Sequence, residues 1–146
     1  MKKFTQCICI LLVCVMMFTT TAFAAEVAEP RASDYFVGSS VYFWHTSGNN
    51  YEIWFDVTGK GTMAELGTSK IQVQRSTDES NWTTVRTYYK EDYSQMTDDN
   101  TVGYANCVPF TATTGYCYRA IVTLYAKNSS GGTGTLREVT ATLDLR

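Results

Sequence analysis

Apolar and polar residues alternate with a period of two through much of this chain, the spacing of strands that bury one face. The clearest run covers residues 116–126. There Tyr116, Tyr118, Ala120, Val122, Leu124 and Ala126 point to one side, and Cys117, Arg119, Ile121, Thr123 and Tyr125 to the other. The first side is uniformly core-like and the second is mixed, so this stretch is predicted to be a half-buried central strand of an antiparallel sheet. Residues 51–58 repeat the pattern, with Tyr51, Ile53, Phe55 and Val57 inward and Glu52, Trp54, Asp56 and Thr58 outward. Ser47-Gly48-Asn49-Asn50 stops the preceding apolar run, 40–45, and the two runs are predicted to form a hairpin.

Further strands are predicted over 69–75, 82–89, 102–110 and 135–145. In the last of these, Val139, Ala141, Leu143 and Leu145 face inward; in 102–110, Pro109 argues against a central place in the sheet. Gly59-Lys60-Gly61-Thr62 breaks the alternation, and Met63-Ala64-Glu65-Leu66-Gly67 reads as one helical turn ended by a glycine. Residues 90–100, with Glu91, Asp92, Asp98 and Asp99, read as a long acidic loop with a turn at 93–96, and 127–134 as a flexible hairpin loop. About seven strands at this spacing, without long helices, predict an all-β fold: an antiparallel β-sandwich.

The N-terminus changes the count of residues available to that fold. Met1-Lys2-Lys3, an apolar run over 8–18 and Ala22-Phe23-Ala24 have the form of a secretory signal peptide, residues 1–24, cleaved after Ala24. The apolar run is shorter than the roughly 20 residues of a membrane span. Bulky residues at 11–13 speak against lipoprotein processing at Cys14. A leader, 25–34, then precedes one domain, 35–146, which has room for a single core. Of 12 basic residues Lys2 and Lys3 leave with the signal while all 14 acids stay, so the net charge falls from −2 to −4. Scattered Lys and Arg with this balance exclude nucleic acid as the expected partner. The expected location is extracellular, with no membrane partner after cleavage.

Cys107 and Cys117 outlast the signal. An exported chain permits a bridge between them, worth about 2.5 to 3 kcal/mol by loop entropy. On the alternation above Cys117 faces outward, so a bridge also needs Cys107 at the surface within reach. Both the bridged and the free state stay open.

Three stretches resemble known families. Ile71-x-Val73-x-x-Ser76-x-Asp78-x-x-x-Trp82-x-x-Val85 resembles a hairpin of fibronectin type III and immunoglobulin-like modules, where an Asp-containing turn precedes a core Trp. Residues 118–128, Tyr-Arg-Ala-Ile-Val-Thr-Leu-Tyr-Ala-Lys-Asn, resemble the penultimate strand of fibronectin type III domains. From its Arg-Ala-Ser leader through Met-x-x-Leu-Gly to Tyr-x-Tyr-Arg-Ala, the mature part resembles small secreted proteins of Gram-positive bacteria with a domain of unknown function. The resemblance implies an immunoglobulin- or fibronectin III-like sandwich and carries no assigned chemistry.

Catalytic patterns are missing from the sequence: His45 is the one histidine, and no zinc, nucleophile-elbow or phosphate-loop motif occurs. His45, at a strand end, reads as a surface residue, because a base needs a second group in register. Asp98-Asp99-Asn100 lacks the alternating acids of a calcium loop. No catalytic residue, metal or cofactor is therefore expected. Binding is better supported. Trp54 between Glu52 and Asp56 has the makings of a sugar platform, an aromatic face for stacking and acids for hydroxyls, unless the leader or a loop covers it. Gln72, Gln74, Arg119, Thr123 and Tyr125 form a second outward surface suited to protein contact or to plain solvation. Asn81-Trp82-Thr83 and Asn128-Ser129-Ser130 match the glycosylation sequon, read as chance beside a bacterial-type signal.

The expected function is a secreted, non-enzymatic binding or adhesion module for an extracellular protein or glycan. The alternatives are a carbohydrate-binding protein using Trp54, and an inhibitor or effector presenting 90–100 or 127–134 to a partner protein. Expression with the leader intact in an exporting host is expected to release a product that begins at Ala25. Mass spectrometry of the culture supernatant checks it, and full-length chain held in the membrane fraction refutes it.

Overall fold

The computed structural model describes residues 32–146; the signal peptide at 1–24, its cleavage site and the leader up to residue 31 lie outside the described residues. Ala32–Asp34 forms a 3-10 turn, followed by β1 (Phe36–Ser47), β2 (Asn50–Ser76), β3 (Thr83–Tyr89), β4 (Thr97–Thr111), β5 (Cys117–Lys127), β6 (Thr133–Val139) and β7 (Leu143–Asp144). A second 3-10 turn, Ser94–Met96, precedes β4. The described residues contain no α-helix, and the strands join in one curled, antiparallel, seven-stranded sheet.

β2 organises it. At 27 residues it would run about 90 Å if straight, several times the radius of so small a domain, so it has to bend. Its first half pairs with β1 on one edge and β4 on the other, which sets Trp54 between Tyr42 and Cys107. Further on β5 takes the place of β1, from Glu65 onward, and β3 takes the place of β4, from Lys70 onward. Register slips between Thr58 and Met63 and between Thr68 and Lys70 accompany the bend. They also reset which residues point inward. Tyr51, Ile53, Phe55 and Val57 are buried before the slips, Met63, Leu66 and Thr68 between them, and Ile71 and Val73 after them. Residues 63–67 are thus strand, not the helical turn their local pattern predicts. Pairing of Glu65 with both Asp99 and Lys127 uses the backbone groups a helix would have claimed.

β5 lies against β2 with Tyr118, Ala120, Val122, Leu124 and Ala126 in the core, as its alternation predicts. The C-terminal strand departs from expectation. Thr140 turns inward, its hydroxyl accepting from the Ala120 amide at 2.9 Å, and this splits the run into β6 and β7. Val139 and Ala141 consequently face out, while Leu136, Leu143 and Leu145 pack on the core. Asp98, Asp99 and Asn100 belong to β4, not to a loop, leaving a short connection that contains the expected turn. The 127–134 turn is tied down by Asn128, whose side-chain oxygen accepts from the Gly132 amide and the Ser130 hydroxyl, both at 2.8 Å.

Gly67 marks the tightest approach in the fold. A Cβ there would lie 2.2 Å from the Met96 carbonyl oxygen and 2.7 Å from Thr97 Cα, and φ is +151°. Gly67→Ala is expected to destabilise the domain by about 1–3 kcal/mol, the range for overpacking a filled site. Gly103→Ala, whose Cβ would meet nothing closer than 3.8 Å, serves as the near-neutral control in the same urea titration.

Candidate functional site

The alternation of β1 and β2 sends one set of side chains outward, and the hairpin at Gly48–Asn49 fixes which of them meet. Tyr42 lies opposite Trp54, Trp44 opposite Glu52 and Ser40 opposite Asp56. On the far edge β4 adds Cys107 beside Trp54, Pro109 beside Glu52 and Ala105 beside Asp56. The predicted set Glu52, Trp54 and Asp56 is thus brought onto one face, in three adjacent rows. Sequence reasoning missed Tyr42 and Trp44, although alternation within 40–45 and a two-residue turn at 48–49 carry the signal.

The face is ordered by its own contacts. The Trp54 and Tyr42 rings are parallel within 5°, their centroids 6.5 Å apart, and Trp54 Nε1 donates to Glu52 Oε2 at 2.9 Å. Trp54 is half-buried, neither lost to the core nor fully open. Trp44 and Tyr42 are more open, at 59% and 43% exposure. Asp56 is exposed and carries the second carboxylate. His45 sits at the hairpin end, Nε2 3.0 Å from the Gly48 carbonyl and its ring against Tyr51. No group of three His, Cys, Asp or Glu side chains able to hold a metal occurs among the described residues.

The second predicted surface, on the outer side of β2 and β5, resolves into two clusters that satisfy themselves. Arg119 Nε donates to Gln74 Oε1 at 2.8 Å while its guanidinium lies 4.2 Å from the Trp82 ring. Trp82 is therefore half-buried outside the core cluster, not the core Trp that the hairpin resemblance implies, and Val85 is exposed. Tyr125 lies under the Lys90 ammonium at 3.9 Å, and Lys90 pairs with Glu65 at 2.7 Å. Burial works against the Lys90 charge, but the Glu65 carboxylate outweighs it and holds the pKa above its ordinary value. Gln72 and Thr123 occupy half-buried rows between the clusters.

The cysteine bridge does not form. Cys107 and Cys117 are both free thiols, one half-buried on β4 in the first half of the sheet, the other buried at the start of β5 in the second. Cys117 does lie on the face opposite Tyr118, but it is wedged between Ser76 and Asp144 on the flanking strands. Arg146 reaches from Asp144 to the Thr77 carbonyl and Glu79 beside it.

No family model matches this chain, and no curated protein matches it. A solved structure described as "X-ray structure of Northeast Structural Genomics Consortium target SoR45" is similar over 79% of this chain and 92% of its own, at 10% identity and a TM-score of 0.46. A likeness that weak carries no argument about fold or function.

Cys107 offers a probe of the aromatic face. Burial pushes its thiol pKa up, and Glu52 adds to this by charge and by accepting its hydrogen bond. In Glu52→Gln the pKa is expected to fall, so at pH 8 more thiolate is present and modification by a maleimide runs severalfold faster. Unfolded wild type should titrate as two thiols from these positions, with no change in mass under reductant.

Proposed function

We propose that this chain is a secreted, non-enzymatic binding module and that its ligand face is the outer side of β1, β2 and β4, built for carbohydrate. The observation that carries this reading is the outward cluster of Tyr42, Trp44 and Trp54 with Glu52 and Asp56 in the same rows. Aromatic rings offer flat surfaces to the C–H faces of sugars, and carboxylates accept from hydroxyls. Two large aromatics held in the open need a reason, because their exposure forgoes the stabilisation that burial supplies. The non-enzymatic part rests on the sequence, which carries no catalytic motif and one histidine, His45, whose ring meets the Gly48 carbonyl and Tyr51.

Export, and kinship with small secreted Gram-positive proteins, belong to the same reading and rest on the leader and the motifs. A finer architecture, an immunoglobulin- or fibronectin III-like sandwich, draws support from Tyr118. Its hydroxyl accepts from the Thr113 amide at 2.9 Å and donates to the Thr113 carbonyl, much as the tyrosine corner of such sandwiches pins a loop. Presentation of loops 90–100 or 127–134 to a partner protein has less behind it. The end of the first, from Thr97, is strand, and the second is closed on Asn128.

A glycan array followed by tryptophan-fluorescence titration tests the sugar reading. Trp44→Ala and Tyr42→Ala are each expected to cost about 1 kcal/mol, roughly fivefold in Kd, with the fold unchanged. An array without a hit, or unaltered affinity in both variants, would sink it.

A further inference from the structure

Residues from the far end of β2 and from β3 meet the end of β4 and the start of β5 around a cleft of about 210 Å³, lined among others by Arg75, Arg86, Phe110, Thr111, Thr113 and Tyr118. The two arginines share the strand parity of buried neighbours but reach out to the cleft, Arg75 half-buried and Arg86 exposed. Ile71 and Val73 of β2 are buried and Arg75 continues their parity, across from buried Tyr118. On β3, Arg86 shares the parity of buried Tyr88 and lies across from Val73.

With Arg75 in the cleft wall and Arg86 at its rim, both charges reach solvent through the cleft mouth. The ion pairs among the described residues join Lys90 to Glu65 and Arg146 to Glu79 and Asp144, and none involves Arg75 or Arg86. Aromatic contacts hold the pair instead. The Arg75 guanidinium lies 4.6 Å from the Tyr116 ring centroid and that of Arg86 lies 4.8 Å from Tyr88, with the Tyr93 hydroxyl accepting from Arg86. Tyr88 is fixed by its hydroxyl donating to the Pro109 carbonyl at 2.5 Å, and Tyr116 packs edge-on against Tyr118, which is closed on Thr113. Stacking orients a guanidinium without neutralising it, and its in-plane N–H groups stay available for a planar two-oxygen acceptor.

We propose that this cleft is a second ligand site, separate from the aromatic face, that binds a carboxylate between Arg75 and Arg86, with the Thr111 and Thr113 hydroxyls on the remainder of the ligand. Its volume lies below that of pockets for drug-sized ligands, so it suits a single sugar-acid ring or one terminal amino-acid residue. Bidentate arginine contacts are the geometry that distinguishes carboxylate from hydroxyl.

The test is an NMR titration of the exported chain, following backbone amides and arginine Nε–H groups, with D-glucuronate, an N-acetylated dipeptide and D-glucose. Both carboxylates are expected to shift Arg75, Arg86 and Tyr118 saturably, and glucose to leave them in place. A uronate that binds more tightly than the dipeptide assigns the carboxylate to a sugar acid, and the reverse order assigns it to a peptide terminus. R75Q/R86Q should weaken binding at least tenfold, and R75K/R86K should weaken it severalfold because the charge persists while the fork is lost. Trp44→Ala should leave this titration unchanged, which separates failure here from failure of the sugar reading on the aromatic face. If neither carboxylate gives saturable shifts with the wild type, the proposal is overturned. It is equally overturned if the lysine pair binds as tightly as the wild type, a comparison that stands even where the glutamine pair does not fold.

Discussion

Hydrogen bonding along both edges of β2, before and after its bend, is the constraint on which the other elements depend. One strand serves β1 and β4, then β5 and β3, and each neighbour inherits its register from it. A strand with both edges paired cannot slide by one residue without turning its inner set out to water. Register also shifts near the ends of β1 and between Val73 and Gln74 against β3, but the slips at Thr58/Met63 and Thr68/Lys70 are the ones that fall where partners change. They fold the second half of the sheet over the first while each half keeps an apolar inner face, and the core from Tyr51 to Val73 closes around that bend.

The same strand sets out the chemistry. Its outer side is aromatic and acidic in the first half and amide- and cation-rich in the second. The halves differ less in composition than in what their side chains have already done. Arg119, Gln74 and Trp82 satisfy one another, as do Lys90, Glu65 and Tyr125. In the first half Glu52 accepts from Trp54 and from Cys107, and the Trp54 bond holds the indole with its ring parallel to Tyr42. Order without saturation separates a prepared surface from a merely polar one, since a ligand has to better the contacts a surface already makes.

Alternation was enough to read the inner faces of β5 and of β2 up to Val57, because each residue there follows the period of two without interruption. It failed where pairing, not local pattern, decides. Residues 63–67 carry helix-forming side chains, yet backbone partners on both edges hold them extended. Cys117 follows the outward parity as read, but exposure does not follow from parity on a strand flanked by Ser76 and Asp144. Thr140 reverses the phase of the C-terminal run through one side chain–backbone bond, which periodicity cannot register. Trp82 was assigned to the core by likeness to other hairpins; here the Arg119 guanidinium supplies its apolar face with a partner outside. For the candidate site, Glu52, Trp54 and Asp56 were legible from one strand. Tyr42 and Trp44 required joining two strands through the turn at Gly48–Asn49.

The free thiols bear on how such a domain stays folded. Export would expose Cys107 and Cys117 to oxidation, but a bridge needs their Cα atoms within about 7 Å. One lies level with Trp54 in the first half of the sheet and the other level with Ser76 at the far end of β2. Linking them would require breaking the register that β2 imposes on β4 and β5. Small exported domains resort to bridges when their cores are too small. Here Ile53, Phe55, Leu66, Ile71, Tyr88, Met96 and Leu124 are fully buried in one cluster. At roughly 1.5–3 kcal/mol for each large apolar side chain withdrawn from water, that cluster is what a covalent staple would otherwise supplement. Stability therefore rests on packing around the bend, and this places the tight contact of Gly67 with Met96 and Thr97 among the interactions the domain can least do without.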